Sequence, residues 1–175
     1  MPETRERCIE LLKNAGCSPK VIAHCEAVCD CAMEYARKCA RADQELVMTG
    51  ALLHDIGRGV THGINHAQKG ADLLREMGFP ESVARIVECH TGAGMTPDEC
   101  VALGLAPRDC MPHTIEEKIV THADNLIAGT KRVTIDESIA SASHLPKKIQ
   151  KRMRRLSDEV EELTKQAKKD VFYFI

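Results

Sequence analysis

The sequence predicts an all-α protein, a bundle of about seven or eight helices. Apolar residues recur at three- and four-residue spacing almost from end to end, and Ser, Thr and Asp caps alternate with glycine stops. No period-two strand and no Asn-Gly hairpin turn stands out.

The first helix is expected from about Thr4 to Ala15, stopped at Gly16. Ser18 and Pro19 then supply an N-cap and a proline at the first helical position. The helix that follows runs to about Ala40, with Val21, His24, Cys25, Val28, Ala32, Tyr35 and Cys39 on one face. Asp43 caps the next, whose stripe is Leu46, Val47, Gly50, Ala51 and His54, and Gly57 and Gly59 end it. His66, Gly70, Leu73, Leu74 and Met77 form another inward face, closed by Gly78. Pro80 opens a short helix with Val83, Ile86, Val87 and His90 in line, ending in Thr91, Gly92, Ala93 and Gly94.

Thr96 with Glu99, and Thr114 with Glu117, have the spacing of capping boxes. After the second box, Ile119, Val120, Ala123, Asp124 and Ile127 make a stripe, with Gly129 as its stop. The stretches from Ala93 to His113 and from Gly129 to Pro146 carry no readable code. Pro146 to about Asp170 is expected to be a long amphipathic helix through Ile149, Met153, Leu156, Val160 and Leu163. The apolar run Phe172, Tyr173, Phe174 and Ile175 is expected to fold back on the body.

A chain of 175 residues is expected to form a single domain, 1–175, with a proper core. Net charge is -2 and the isoelectric point about 6.4, so no global field points to nucleic acid. Aromatic residues are scarce and Trp is absent, which argues against base-stacking platforms. No apolar run has the length of a membrane span and the first residues do not resemble a signal peptide, so a cytoplasmic protein is expected. Nine cysteines contain no C-x-x-C pair, and Cys25, Cys29 and Cys31 are expected to be small buried hydrophobes.

The chemistry lies in the polar residues of these apolar faces. His24, His54, His66, His90 and Asp124 each fall on the stripe of a separate helix, with Asp55 beside His54. Burying one such group is costly unless it is hydrogen-bonded, and convergence on one metal site in the bundle core satisfies all of them at once. Neutral His and ionised Asp suit divalent cations such as iron, manganese, zinc or nickel. Six ligands exceed what one four-coordinate zinc takes and fit two metals sharing Asp55. Such a pair can turn a bridging water into hydroxide and clamp phosphoryl oxygens.

The order His24, His54, Asp55, Asp124 resembles the motif of the HD superfamily of metal-dependent phosphohydrolases. His66-x-x-x-Gly70-Ala71 and His90 are similar to its two-metal branch, and the resemblance covers about residues 21–132. It implies an HD-type bundle around a central metal site. Metal one would take His24, His54, Asp55 and Asp124, and metal two Asp55, His66 and His90. Iron or manganese is favoured, with zinc, nickel, cobalt or magnesium admitted. The implied reaction is hydrolysis of a phosphodiester, phosphoester or phosphoanhydride bond in a nucleotide-like small molecule by a metal-bridging hydroxide.

Three subgroups are similar. His54, Asp55, Ile56 and Gly57 with the His66 motif resemble the HD-GYP cyclic dinucleotide phosphodiesterases. Those carry Lys where Arg58 stands, and a double His with a Gly-Tyr-Pro signature where this chain has His90 and Thr91 to Gly94, so cyclic di-GMP is not expected. His90, Thr91, Met95 and Glu117 to Val120 before Asp124 are similar to bacterial HD enzymes that cleave diadenosine tetraphosphate. Archaeal HD proteins that open the cyclic phosphate of dihydroneopterin 2′,3′-cyclic phosphate form the third group.

Arg58, Lys69, Lys131 and Arg132 lie next to the expected ligands in sequence. Arg58, Lys69 and Arg132 are expected to hold phosphate oxygens, and Asp55, Arg58 and Lys69 to take part in catalysis; the plainer reading of the basic residues is solvated charge at helix ends. His62 is read as a loop residue or proton shuttle. His122 lies two helical steps, about 200°, from Asp124, so it cannot share a metal with it. His113 and His144 are expected at the surface. Lys147, Lys148, Lys151, Arg152, Arg154 and Arg155 read as the solvated face of the last helix, an RNA or phosphate patch being the alternative. The expected partner is a small phosphorylated substrate, with no nucleic acid or membrane; a homodimer is compatible with the sequence. The alternative functions are a non-catalytic metal or nucleotide sensor and a mononuclear nucleoside monophosphatase.

Overall fold

The computed structural model describes residues 3–172, with side chains described through residue 165. Its helices are α1 (Arg5–Asn14), α2 (Pro19–Lys38), α3 (Gln44–Leu53), α4 (His66–Glu76), α5 (Glu81–Cys89), α6 (Pro97–Ala102), α7 (Ile115–Asn125), α8 (Ile135–Ser141) and α9 (Lys147–Phe172). A 3-10 turn spans Ile56–Gly59, and two short strands, β1 (Ile127–Ala128) and β2 (Lys131–Arg132), pair antiparallel. The fold is therefore all-α, with one helix more than the upper expectation among the described residues. The run from Phe172 to Ile175 lies outside the described side chains.

The helix starts follow their caps. Thr4, Ser18 and Asp43 each accept a hydrogen bond from the backbone N–H three residues on. Thr96 with Glu99 and Thr114 with Glu117 form the expected reciprocal boxes. A third box, Thr134 with Glu137, starts α8 inside a stretch expected to be loop. That helix fully buries none of its residues, so no apolar stripe announced it.

The second difference lies just before it. The stripe after Thr114 does not continue helically to Gly129. Instead α7 ends at Asn125, capped by Leu126, and Ile127 pairs with Arg132 across a turn in which Gly129 has φ +65°. Two-residue strands are too short to show a period of two.

The core is made where α2, α3, α5 and α7 meet, through Val28, Val47, Leu52, Leu53, Ile86, Val87, Ile119 and Val120, all buried. Each such side chain contributes about 2 kcal/mol relative to exposure. Met153, Leu156 and Val160 lay α9 across α2 and α7. All nine cysteines are buried and free. Burial pushes the thiols of Cys8 and Cys110 up to about 12 and those of Cys17, Cys29 and Cys31 to about 11, so they pack as hydrophobes. No helix among the described residues is long and apolar enough to cross a membrane.

A buried carboxylate locks the far side of the α4–α5 pair. Glu88, 3% exposed, accepts from Arg75 at 3.1 Å, Arg85 at 3.3 Å and Arg108 at 3.0 Å. Burial opposes its ionisation, but the hydrogen bonds from Arg75 and Arg108 outweigh that and hold its pKa below the ordinary value. We expect Glu88→Ala to destabilise the protein by about 3 kcal/mol, read as a lower urea midpoint. A depressed folded pKa gives stability that is complete above the ordinary pKa of 4.5 and is lost as pH falls through the folded value. The difference between wild type and variant should therefore shrink in acid below that value.

Candidate metal centre

His54 and His90 are the C-caps of α3 and α5, and His66 is the first residue of α4. These are helix ends, where backbone carbonyls lack in-helix donors. Each imidazole donates Nδ1–H to the carbonyl three residues earlier: Ala51 at 2.7 Å, Gly63 at 3.0 Å and Val87 at 2.7 Å. His24, in the second turn of α2, donates to Gly129 in the β1–β2 turn at 2.7 Å. A carbonyl only accepts, so Nδ1 carries the proton in all four, and every Nε2 is turned to a common centre.

The carboxylates sit between these Nε2 atoms. Asp124 Oδ1 is 3.0 Å from His24 Nε2 and 3.4 Å from His54 Nε2. Asp55 Oδ1 is 3.3 Å from His66 Nε2 and 3.4 Å from His90 Nε2, while its Oδ2 is 3.8 Å from His54 Nε2. His66 Nε2 and His90 Nε2 face each other at 3.1 Å. Asp55 therefore spans two clusters, one with His54 and, through it, His24 and Asp124, the other with His66 and His90. Donor atoms of His24, His54 and Asp124, and of His54, Asp55 and His90, all lie within 4.8 Å of one another.

Burial opposes ionisation of Asp55, yet the charge of His54 and the hydrogen bonds from His66 and His90 hold its carboxyl far below the usual range. Asp124 is depressed in the same way by His54 and His24. Burial is outweighed at His24 by Asp124 and at His54 by Cys25, Asp55 and Asp124, so both are shifted up, whereas burial dominates at His90 and shifts it down. Two largely buried anions and four convergent imidazoles make a donor set that could hold a divalent metal. His54 Nε2 is buried without a hydrogen-bond partner among the described residues, the position a metal bond would fill. Neither donor cluster among the described residues contains a cysteine.

Around this centre, Arg58 directs Nε to Asp55 Oδ1 at 3.4 Å and donates from Nη1 to the His62 carbonyl at 2.9 Å. Lys69 is exposed on α4, one turn beyond His66, beside Asn65 and Asp72. Arg132 is engaged elsewhere: Nη1 is 3.4 Å from Glu34, and the guanidinium lies over the Tyr35 ring. His62, His113 and His144 are exposed. His122 is turned from Asp124 as expected, but it is buried against Tyr35, which its position near a polar helix end did not reveal. Two positioning residues were missed. Asn125 Nδ2 donates to the Gly92 carbonyl at 2.6 Å, and Arg152 Nη1 to that of Gly94 at 3.0 Å, which ties α7 and α9 to the loop after His90. No spacing signal marks either.

A helical bundle that gathers six such donors from five helices is a metal-centred domain. The family model described as HD domain matches residues 21–129, which include all six, and the chain belongs to that family. An uncharacterised protein of Methanocaldococcus jannaschii is 48% identical over 174 residues, 91% of this chain and 98% of that one. The tRNA (cytidine(56)-2'-O)-methyltransferase of Thermoplasma volcanium is 48% identical over 132 residues, 75% of this chain but only 39% of that enzyme. The HD domain of the L. monocytogenes phosphodiesterase PgpH has the same fold, with TM-score 0.53 at 17% identity over 89% of this chain and 96% of that one. The same domain in complex with cyclic-di-AMP gives TM-score 0.54 at 16% identity, over 89% and 94%.

The centre depends on a close backbone crossing. A Cβ on Gly57 would lie 1.9 Å from the His66 carbonyl oxygen and 2.8 Å from Gly70 N, so any side chain at this position would push α4 and His66 off the 3-10 turn. At Gly63 the added Cβ meets only side-chain atoms, Asn65 Oδ1 at 3.0 Å and Thr61 Oγ1 at 3.4 Å. Gly57→Ala should cost about 3 kcal/mol in chemical denaturation and lower divalent-metal retention, whereas Gly63→Ala should stay within about 1 kcal/mol.

Proposed function

We propose that this chain, acting as one HD-type unit over residues 1–175, is a metal-dependent phosphohydrolase for a phosphoester, phosphodiester or phosphoanhydride of a nucleotide-like small molecule. The observation that carries the reading is the convergence of four Nε2 atoms, each imidazole oriented by a backbone carbonyl, around a carboxylate that spans both clusters. In this reading His24, His54, Asp55 and Asp124 hold one divalent metal and Asp55, His66 and His90 a second, iron or manganese being favoured. Such metals supply an acidified water and charge neutralisation for phosphoryl oxygens.

The chain's own groups do the rest. The Nδ1–H bonds keep the rings from rotating, so the donors are preorganised before substrate arrives. Asp55 keeps its charge in a buried site, which favours cations over water there. Arg58, bound through Nε to Asp55 and through Nη1 to the His62 carbonyl, has Nη2 left at the edge of the centre to donate to a phosphate oxygen. Lys69 adds positive charge on the approach. Arg132, which the hairpin turns towards Glu34 and Tyr35, is left out of the phosphate set.

That the PgpH domain is a phosphodiesterase, solved also with cyclic-di-AMP, supports a nucleotide phosphodiester as substrate class. A second reading, in which the phosphoester belongs to an RNA, is favoured by the similar segment within a tRNA methyltransferase. Lys147, Lys151 and Arg155, exposed on α9, are the place such an RNA would meet first.

Protein purified without chelator should contain two equivalents of divalent metal per chain and hydrolyse 2′,3′-cyclic nucleotides, dinucleoside polyphosphates or cyclic dinucleotides. His54→Ala and Asp55→Ala should abolish turnover while helical content by circular dichroism is kept. Arg58→Ala should keep the metal and lower kcat/KM about 100-fold. Undiminished hydrolysis in the His54 and Asp55 variants would overturn the reading. Metal without hydrolysis of any of these substrates would leave a sensor as the better account.

A further inference from the structure

A second polar cavity lies on the opposite side of α7, between the β1–β2 hairpin, α8 and α9. Its volume of about 350 Å³ falls within the range of small-molecule pockets. His122 lines it, 1% exposed, and neither ring nitrogen has a hydrogen-bond partner among the described residues. Glu161 Oε1 is 3.7 Å from Nε2, beyond hydrogen-bond reach. A fully buried imidazole left with both nitrogens unbonded is costly and rare. One such group lining a ligand-sized cavity points to a partner that enters it.

The walls define what that partner is. Tyr35 donates its hydroxyl to Glu161 Oε1 at 2.7 Å, which fixes the carboxylate and leaves Oε2 as an acceptor among the described residues. Arg132 stands over the Tyr35 ring, its guanidinium carbon 6.0 Å from the ring centroid. Leu126, Val133 and Ile135 supply apolar surface for flat faces. With Glu34, Glu137 and Glu161 around a single arginine, an anionic ligand is disfavoured. The required ligand is neutral, flat, and offers adjacent N–H donors to a carboxylate and adjacent acceptors to a guanidinium. Guanine has that arrangement, with N1–H and N2–H on one edge and O6 and N7 on the next. Adenine presents an N–H donor where the guanidinium needs an acceptor and a ring acceptor where the carboxylate needs a donor.

We propose that the cavity formed by His122, Tyr35, Arg132 and Glu161 is a second binding site, separate from the metal centre, for a guanine-type base. Glu161 accepts from N1–H and N2–H, Arg132, with Nη1 held by Glu34, donates from Nε and Nη2 to O6 and N7, and His122 completes the hydrogen bonding from below. The hairpin that carries Arg132 also supplies the Gly129 carbonyl that orients His24, so one wall is common to this site and the metal centre.

Isothermal titration of the full chain with guanosine tests this, because guanosine has no phosphoester for the metal centre to act on. One site per chain with Kd on the order of 10–100 μM is expected. Adenosine should bind at least tenfold more weakly, and chelator treatment should leave guanosine binding in place. Glu161→Gln, which sets an amide N–H against the base donors, should weaken guanosine at least tenfold. His122→Phe should do the same; because that position is buried, the half-exposed Glu161 carries the test if the histidine variant misfolds. Absence of binding at millimolar guanosine, equal affinity for adenosine, or unchanged affinity in Glu161→Gln would each overturn the proposal. So would loss of guanosine binding in Asp55→Ala with retention in Glu161→Gln, which would place the base at the metal centre.

Discussion

The Asp55 carboxylate is 8% exposed and cannot stay ionised at that depth without close positive or hydrogen-donating neighbours. That requirement organises the first half of the chain. His54 precedes it on the same helix end, His66 comes from α4 and His90 from the end of α5, so three helices must present their termini to one carboxylate. The 3-10 turn after Asp55 and the Gly57–Gly70 crossing bring α4 close enough for His66 to reach. A helix arrangement that relaxed any of these would leave a buried charge without compensation.

The second half of the chain serves orientation more than ligation. Asp124 is its one donor to the centre, and the remaining contacts run through backbone carbonyls. The Gly129 carbonyl accepts from His24 Nδ1–H, that of Gly92 from the Asn125 amide and that of Gly94 from the Arg152 guanidinium. Arg152 is itself held by Glu99 of the α6 capping box, which makes the start of a short helix part of the support of the loop after His90. The family match ends at residue 129, within the hairpin, so the α9 contribution lies beyond the shared motif.

Most of the bundle could be read from spacing. The stripes of α2 to α5 and of α7 are long enough to show a helical period, and their caps are side chains with one physical job each. The convergence of the six polar groups was legible because polar residues on apolar faces must be satisfied by one another or by something bound. What escaped lacks a periodic signal. β1 and β2 are two residues each, and α8 rests on the bundle with no buried face although Thr134 and Glu137 repeat the box seen at Thr96 and Thr114. Arg132 shows the limit of adjacency. It follows Asp124 by eight positions, but the hairpin carries it to Tyr35 and Glu34. For His122 the helical step gave direction away from the metal ligands, while its burial depends on α2 and α9 packing over it, which is a tertiary fact.

The nine thiols have a consequence for how the folded state can be watched. All are buried and unpaired, and they are distributed through distinct parts of the molecule. Cys25 and Cys29 sit in the main core on α2, Cys89 near the end of α5, and Cys100 and Cys110 in a small separate cluster with Met95. A thiol of this kind meets a bulky alkylating reagent only when its own neighbourhood opens. The order in which the cysteines become labelled is therefore a map of local opening free energies, written into the native sequence. The satellite cluster around Cys100 and Cys110, with few apolar neighbours, is the place where that map should begin.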